Sequence, residues 1–88
     1  MAVRFNSRQE SGTSAEWTPV GETILQMATN DSFLGICTVQ TKLDTNAPWI
    51  NVAKLDSMVP LRIVKLPILR INLINNLGKR DVSVYDYV

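Results

Sequence analysis

Arg70-Ile71-Asn72-Leu73, then Leu77-Gly78-Lys79-Arg80, then Val82-Ser83-Val84-Tyr85 is the stretch from which the fold class is read. Polar and apolar residues alternate on both sides of a glycine-containing turn, and a period of two places successive side chains on opposite faces of an extended chain. The pattern predicts two antiparallel strands joined as a β-hairpin with one buried face. In the second strand Val82, Val84 and Val88 share one face and Tyr85 and Tyr87 the other, so one of these sets packs in the core. The strand is expected to run to Val88, which would make that end of the chain part of the fold.

Upstream, the same reading recurs. Thr23-Ile24-Leu25-Gln26-Met27-Ala28 is a candidate strand closed by the turn residues Thr29-Asn30-Asp31-Ser32. The run from Phe33 to Leu43 is rich in Ile, Val and Thr, and Gly35 within it marks a bulge or a close backbone approach. These two are expected to pair as a hairpin. After the loop Asp44-Thr45-Asn46-Ala47-Pro48 come Trp49 to Leu55 and, past Asp56-Ser57, Leu61 to Lys65. Trp17-Thr18-Pro19-Val20-Gly21 reads as an edge segment, because Pro19 has no N–H for a central ladder. No stretch combines a helix cap with a long apolar stripe. The expected fold is all-β, a small antiparallel β-sandwich or barrel, with Ile36, Val39, Val52, Ile63, Leu69, Ile71, Leu73, Val82 and Val84 buried.

Residues 1–15 are polar and rich in Ser, Gln, Glu and Gly, with Val3 and Phe5 as their large apolar side chains. Such a segment buries too little surface to offset its ordering entropy. It is therefore expected to be a flexible N-terminal arm that orders on a neighbouring subunit through Val3, Arg4 and Phe5, leaving residues 16–88 as a single β domain.

Composition narrows the function. The chain has 88 residues, 45% of them hydrophobic, so one small core is expected, with oligomerisation as a supplement to stability. A net charge of +1 with scattered basic residues provides no electrostatic footprint for nucleic acid. Charged residues and Pro67 interrupt the apolar region from Val59 to Leu77, which excludes a transmembrane helix there. With one cysteine, Cys37, no intrachain disulfide forms; with no apolar leader at Met1 to Asn6, synthesis in a reducing cytoplasm is expected.

The chain contains no histidine, the commonest general base and metal ligand. Cys37 lies in an apolar, β-prone run and reads as packing. The carboxylates fall mostly in turns, and no phosphate loop or zinc spacing is present. No enzyme, catalytic residue, cofactor or metal is expected. Trp17, Trp49, Tyr85 and Tyr87 admit two readings, core or interface anchors and a stacking platform for sugar rings, of which anchors are the commoner in so small a domain.

The succession Trp17-Thr18-Pro19-Val20-Gly21, Cys37 to Thr41, Ala47-Pro48-Trp49-Ile50-Asn51-Val52, Leu69-Arg70-Ile71-Asn72-Leu73 and Val82-Ser83-Val84 resembles small β-sandwich structural proteins of tailed-bacteriophage particles. The resemblance implies a virion structural role, a capsid decoration (cement) subunit or a head-fibre or tail accessory subunit. It implies other virion subunits and further copies of the chain as partners, with no nucleic acid or membrane, and assembly in the host cytoplasm. Partner contacts are expected at Val3, Arg4, Phe5, Trp17, Trp49, Tyr85 and Tyr87. The alternative is a carbohydrate- or receptor-binding module of a larger assembly.

Overall fold

In the computed structural model, which describes residues 2–29 and 33–87, the alternating stretches become eight strands. They are β1 Ala2–Ser7, β2 Gly12–Thr13, β3 Thr23–Ala28, β4 Ile36–Thr41, β5 Ile50–Leu55, β6 Leu61–Ile63, β7 Leu69–Ile74 and β8 Val82–Tyr87. No helix occurs among the described residues. Two four-stranded antiparallel sheets form: sheet I in the order β1-β8-β3-β6 and sheet II in the order β2-β7-β4-β5. Leu25, Met27, Val82 and Val84 of sheet I meet Cys37, Val39, Leu69, Ile71 and Leu73 of sheet II, all of them buried. The result is a β-sandwich, because each sheet has one apolar face and the other sheet covers it.

The strands lie close to where alternation places them, but their connections differ from expectation. β7 and β8 are not a hairpin: β7 pairs with β4 and β2, and β8 with β1 and β3, so they face each other across the core. Alternation specifies which side chains point inward, and it reads the same whether two strands lie side by side or in opposite layers. The loop makes the crossing. Asn75 and Lys79 take positive φ values of 59° and 50°, and the turn glycine Gly78 does not. Asn76 is buried; its amide Nδ2 donates to the carbonyls of Gln9 (3.0 Å) and Arg80 (2.9 Å), while its Oδ1 accepts from the Arg80 N–H (3.0 Å).

β3 and β4 likewise enter different sheets, and the hairpin that does form between consecutive described strands is β4–β5. Asn30, Asp31 and Ser32 of the expected turn, and Val88, lie outside the described residues.

The division into an arm at 1–15 and a domain at 16–88 is also corrected. β1 pairs along β8, Phe5 is in the core, and β2 pairs with β7 at Gly12↔Leu73 and Thr13↔Asn72. Composition misleads here because β1 is an edge strand: its backbone bonds are satisfied on one side and Phe5 anchors it. A polar strand is enough for that position. Trp17 confirms the expected edge segment, exchanging backbone hydrogen bonds with Leu69 at 3.0 and 2.9 Å.

Of the expected core, Ile36 is half-buried and Val52 exposed. Ile36 has the opposite parity to Val39, and the inward positions of β4 are Cys37, Val39 and Thr41. Val52 is the extra residue of a bulge, since Val39 pairs with Ala53 and Gln40 with Asn51. Gly35 is a close backbone approach: a Cβ there would lie 2.9 Å from the Ile74 carbonyl oxygen.

Candidate functional site

Three of the expected contact residues meet on the outer face of sheet I. Register places Val3 beside Tyr85 and Tyr85 beside Gln26 in one row, and Tyr87, Ile24 and Arg62 in the next. Ile24, Gln26, Pro60, Tyr85 and Tyr87 line a shallow concavity. Tyr87 is 66% exposed, Val3 60% and Met58 61%. Alternation produces this face directly: Leu25, Met27, Val82 and Val84 turn inward, so Ile24, Gln26, Tyr85 and Tyr87 must turn outward.

Arg4, Phe5 and Trp17 do not join it. Phe5 belongs to the core, which corrects its expected role as a partner contact. Arg4 is the extra residue of a bulge in β1, because Val3 pairs with Tyr85 and Phe5 with Val84. The bulge re-aims its side chain. Arg4 Nε donates to Asp86 Oδ2 at 3.0 Å, and its guanidinium lies 4.8 Å from the centre of the Trp17 ring. Asp86 sits on the core face of β8 and is buried. Arg4 supplies the charge that a carboxylate at that position requires. Trp17 packs partly against the core.

Trp49 lies on the opposite side of the molecule, at the end of sheet II. The β4–β5 register continues past Thr41↔Ile50 to bring Lys42 and Trp49 alongside each other. The Lys42 ammonium is 5.0 Å and the Arg70 guanidinium 4.2 Å from the centre of the Trp49 ring. Arg70 Nε donates to Gln40 Oε1 at 2.8 Å, and Gln40 Nε2 donates to Asn51 Oδ1 at 2.9 Å. This row crosses β7, β4 and β5. The outward direction of Arg70 was legible in its alternation with Leu69 and Ile71; its meeting with Gln40 and Trp49 depends on register between distant strands.

Cys37 is buried, and burial pushes its thiol from 9.0 up to about 12, which suits packing and not nucleophilic chemistry. Among the described residues no group of three or more His, Cys, Asp or Glu side chains is placed to hold a metal ion. No helix among them is long and apolar enough to cross a membrane.

No family model matches the chain, no curated protein matches it in sequence, and no solved structure matches it in fold. Its class is therefore defined by the molecule alone: a two-sheet antiparallel β-sandwich with an aromatic outer face on one sheet and a basic, amide-rich outer face on the other.

Proposed function

We propose that this chain is a structural subunit of a tailed-phage particle, a capsid decoration (cement) subunit that works as a homo-oligomer through protein contacts. The observation that carries this reading is the outer face of sheet I, where Val3, Ile24, Tyr85, Tyr87 and Met58 form a solvent-facing apolar surface. Tyrosines on a rigid sheet offer large contact area at small entropy cost. The occupant of this face is a second copy of the chain, packed face to face about a two-fold axis. The molecule measures 35 × 26 × 17 Å. A standard interface buries roughly 800 Å² per partner, so a stable dimer has to use most of the molecule's broad side.

The sequence resemblance to virion sandwiches gives the setting, and a small 88-residue sandwich with no histidine in its sequence fits a role that depends on copy number. The experiment is light scattering of the native protein together with co-sedimentation on purified phage particles lacking it. An oligomer that is retained on particles supports the reading. A monomer that ignores particles and binds a glycan array overturns it in favour of a carbohydrate-binding module.

A further inference from the structure

Sheet II is unbalanced in charge. Its strands β2, β4, β5 and β7 contain Lys54 and Arg70 and no aspartate or glutamate. Lys42 continues the same outer face beyond β4. The ion pairs of the described residues are Arg4–Asp86, Arg8–Asp81 and Arg62–Glu22, so Lys42, Lys54 and Arg70 have no carboxylate within 4.0 Å among those residues. Two of these cations share one indole ring, Arg70 at 4.2 Å and Lys42 at 5.0 Å.

The Arg70 guanidinium is also pre-set. It is half-buried, its Nε is spent on Gln40, Gln40 is held by Asn51, and the centre of the Trp49 ring lies 4.2 Å from it. The two terminal nitrogens have no side-chain acceptor among the described residues. A planar fork held in this way matches a carboxylate in bidentate geometry. Beside it, Thr38, Asn72 and Thr13 occupy the next row at outward positions, with two hydroxyls and one amide, the Thr38 hydroxyl lying 3.5 Å from the Asn72 carbonyl oxygen.

We propose that the outer face of sheet II, centred on Arg70, Lys42 and Trp49, is a docking site for an acidic segment of a partner protein. An aspartate or glutamate carboxylate seats on the Arg70 fork beside Lys42, and the amide and hydroxyl rows receive the extended backbone that carries it. Charge complementarity selects this occupant. Nucleic acid is disfavoured because affinity for it comes from many phosphate contacts, and this face offers three cations. A neutral sugar is disfavoured because the Trp49 ring is already engaged by two cations. The inference deepens the structural-subunit reading by assigning the second face, and its test does not depend on particles or on self-association.

The test is an NMR titration of the native protein with a short oligo-glutamate peptide and, in parallel, an oligo-glutamine peptide of equal length. The oligo-glutamate is expected to shift the Arg70 Nε–H and Trp49 indole N–H resonances and those of β4 and β7. Binding should weaken as salt rises. Arg70→Gln should bind about tenfold or more weakly, for the loss of a charge-assisted bidentate contact. Lys42→Gln, which alters a half-buried side chain outside the strands, provides a second reading if Arg70→Gln perturbs the fold, and should weaken binding severalfold. Equal binding of the two peptides, shifts confined to sheet I, or undiminished binding by both variants overturns the proposal. Tighter binding of single-stranded DNA or of an acidic polysaccharide than of oligo-glutamate overturns the protein partner. A protein that self-associates and is retained on particles yet ignores oligo-glutamate rejects this inference alone.

Discussion

The two outer faces of the sandwich are built by the same alternation and end with different chemistry. On sheet I the outward positions carry Val3, Ile24, Tyr85 and Tyr87 with Gln26 and Arg62; on sheet II they carry Thr38, Gln40, Arg70 and Asn72, with Ile36 and Ile74 at one end. Both sheets are equally covered on the inside. The difference teaches that burial in a sandwich constrains only every second residue, and the remaining half is free to be set by what each face must meet.

The strongest test of that division is parity itself. Ile71 is fully buried and Asn72, its neighbour in β7, faces out. Ile71→Asp places an unpaired charge in the core and is expected to cost about 4 kcal/mol or more, whereas Asn72→Asp should stay within about 0.5 kcal/mol. Urea denaturation of the two variants decides it, and similar losses would mean that the inner and outer faces are misassigned.

Next in size is Arg4→Ala. Asp86 breaks the rule that the inner face of sheet I is apolar, and it is tolerated because Arg4 is 3.0 Å away. Removing Arg4 leaves the buried carboxylate unpaired, at an expected cost of about 3 kcal/mol. Asp86→Asn in the Arg4→Ala background should restore part of that loss, since an amide carries no charge to be stranded. No recovery in the thermal midpoint would show that Arg4 acts through its packing on Trp17 instead.

Cys37 sharpens the comparison from the inside of sheet II. Below pH 9.0 the thiol is protonated whether the chain is folded or not, and stability owes nothing to its titration. Above that, the unfolded chain loses the proton while the folded chain keeps it to about 12, so unfolding is favoured as pH rises across this window. The expected loss is on the order of 1 kcal/mol per pH unit, absent in Cys37→Ala. Denaturation curves of both proteins at pH 8 and about pH 10 measure the difference; identical pH dependence would place the thiol in contact with solvent.

The smallest expected effect on stability belongs to the face proposed to matter most for association. Tyr87 is 66% exposed, and Tyr87→Ser should change the thermal midpoint little, within about 0.5 kcal/mol, while reducing self-association seen by light scattering. A large loss of stability with unchanged association would assign Tyr87 to the fold and not to an interface.

From residue order alone, the all-β class, the close positions of β3, β5, β7 and β8, the burial of Cys37 and the split of β8 into a valine face and a tyrosine face were legible. Each follows from period-two patterning, which is a property of neighbouring residues. Partner strands were not legible. The β7–β8 and β3–β4 connections cross between layers, and alternation is blind to whether the next strand lies beside or opposite. The N-terminal strand was hidden because its stability comes from pairing with β8, a contact between residues such as Asn6 and Ser83 that lie at opposite ends of the chain. The same holds for both candidate faces. Tyrosines and an arginine could be placed outward by parity, but only the tertiary register brings Val3 beside Tyr85 and Arg70 beside Gln40 and Trp49, because side-chain rows run across strands while sequence runs along them.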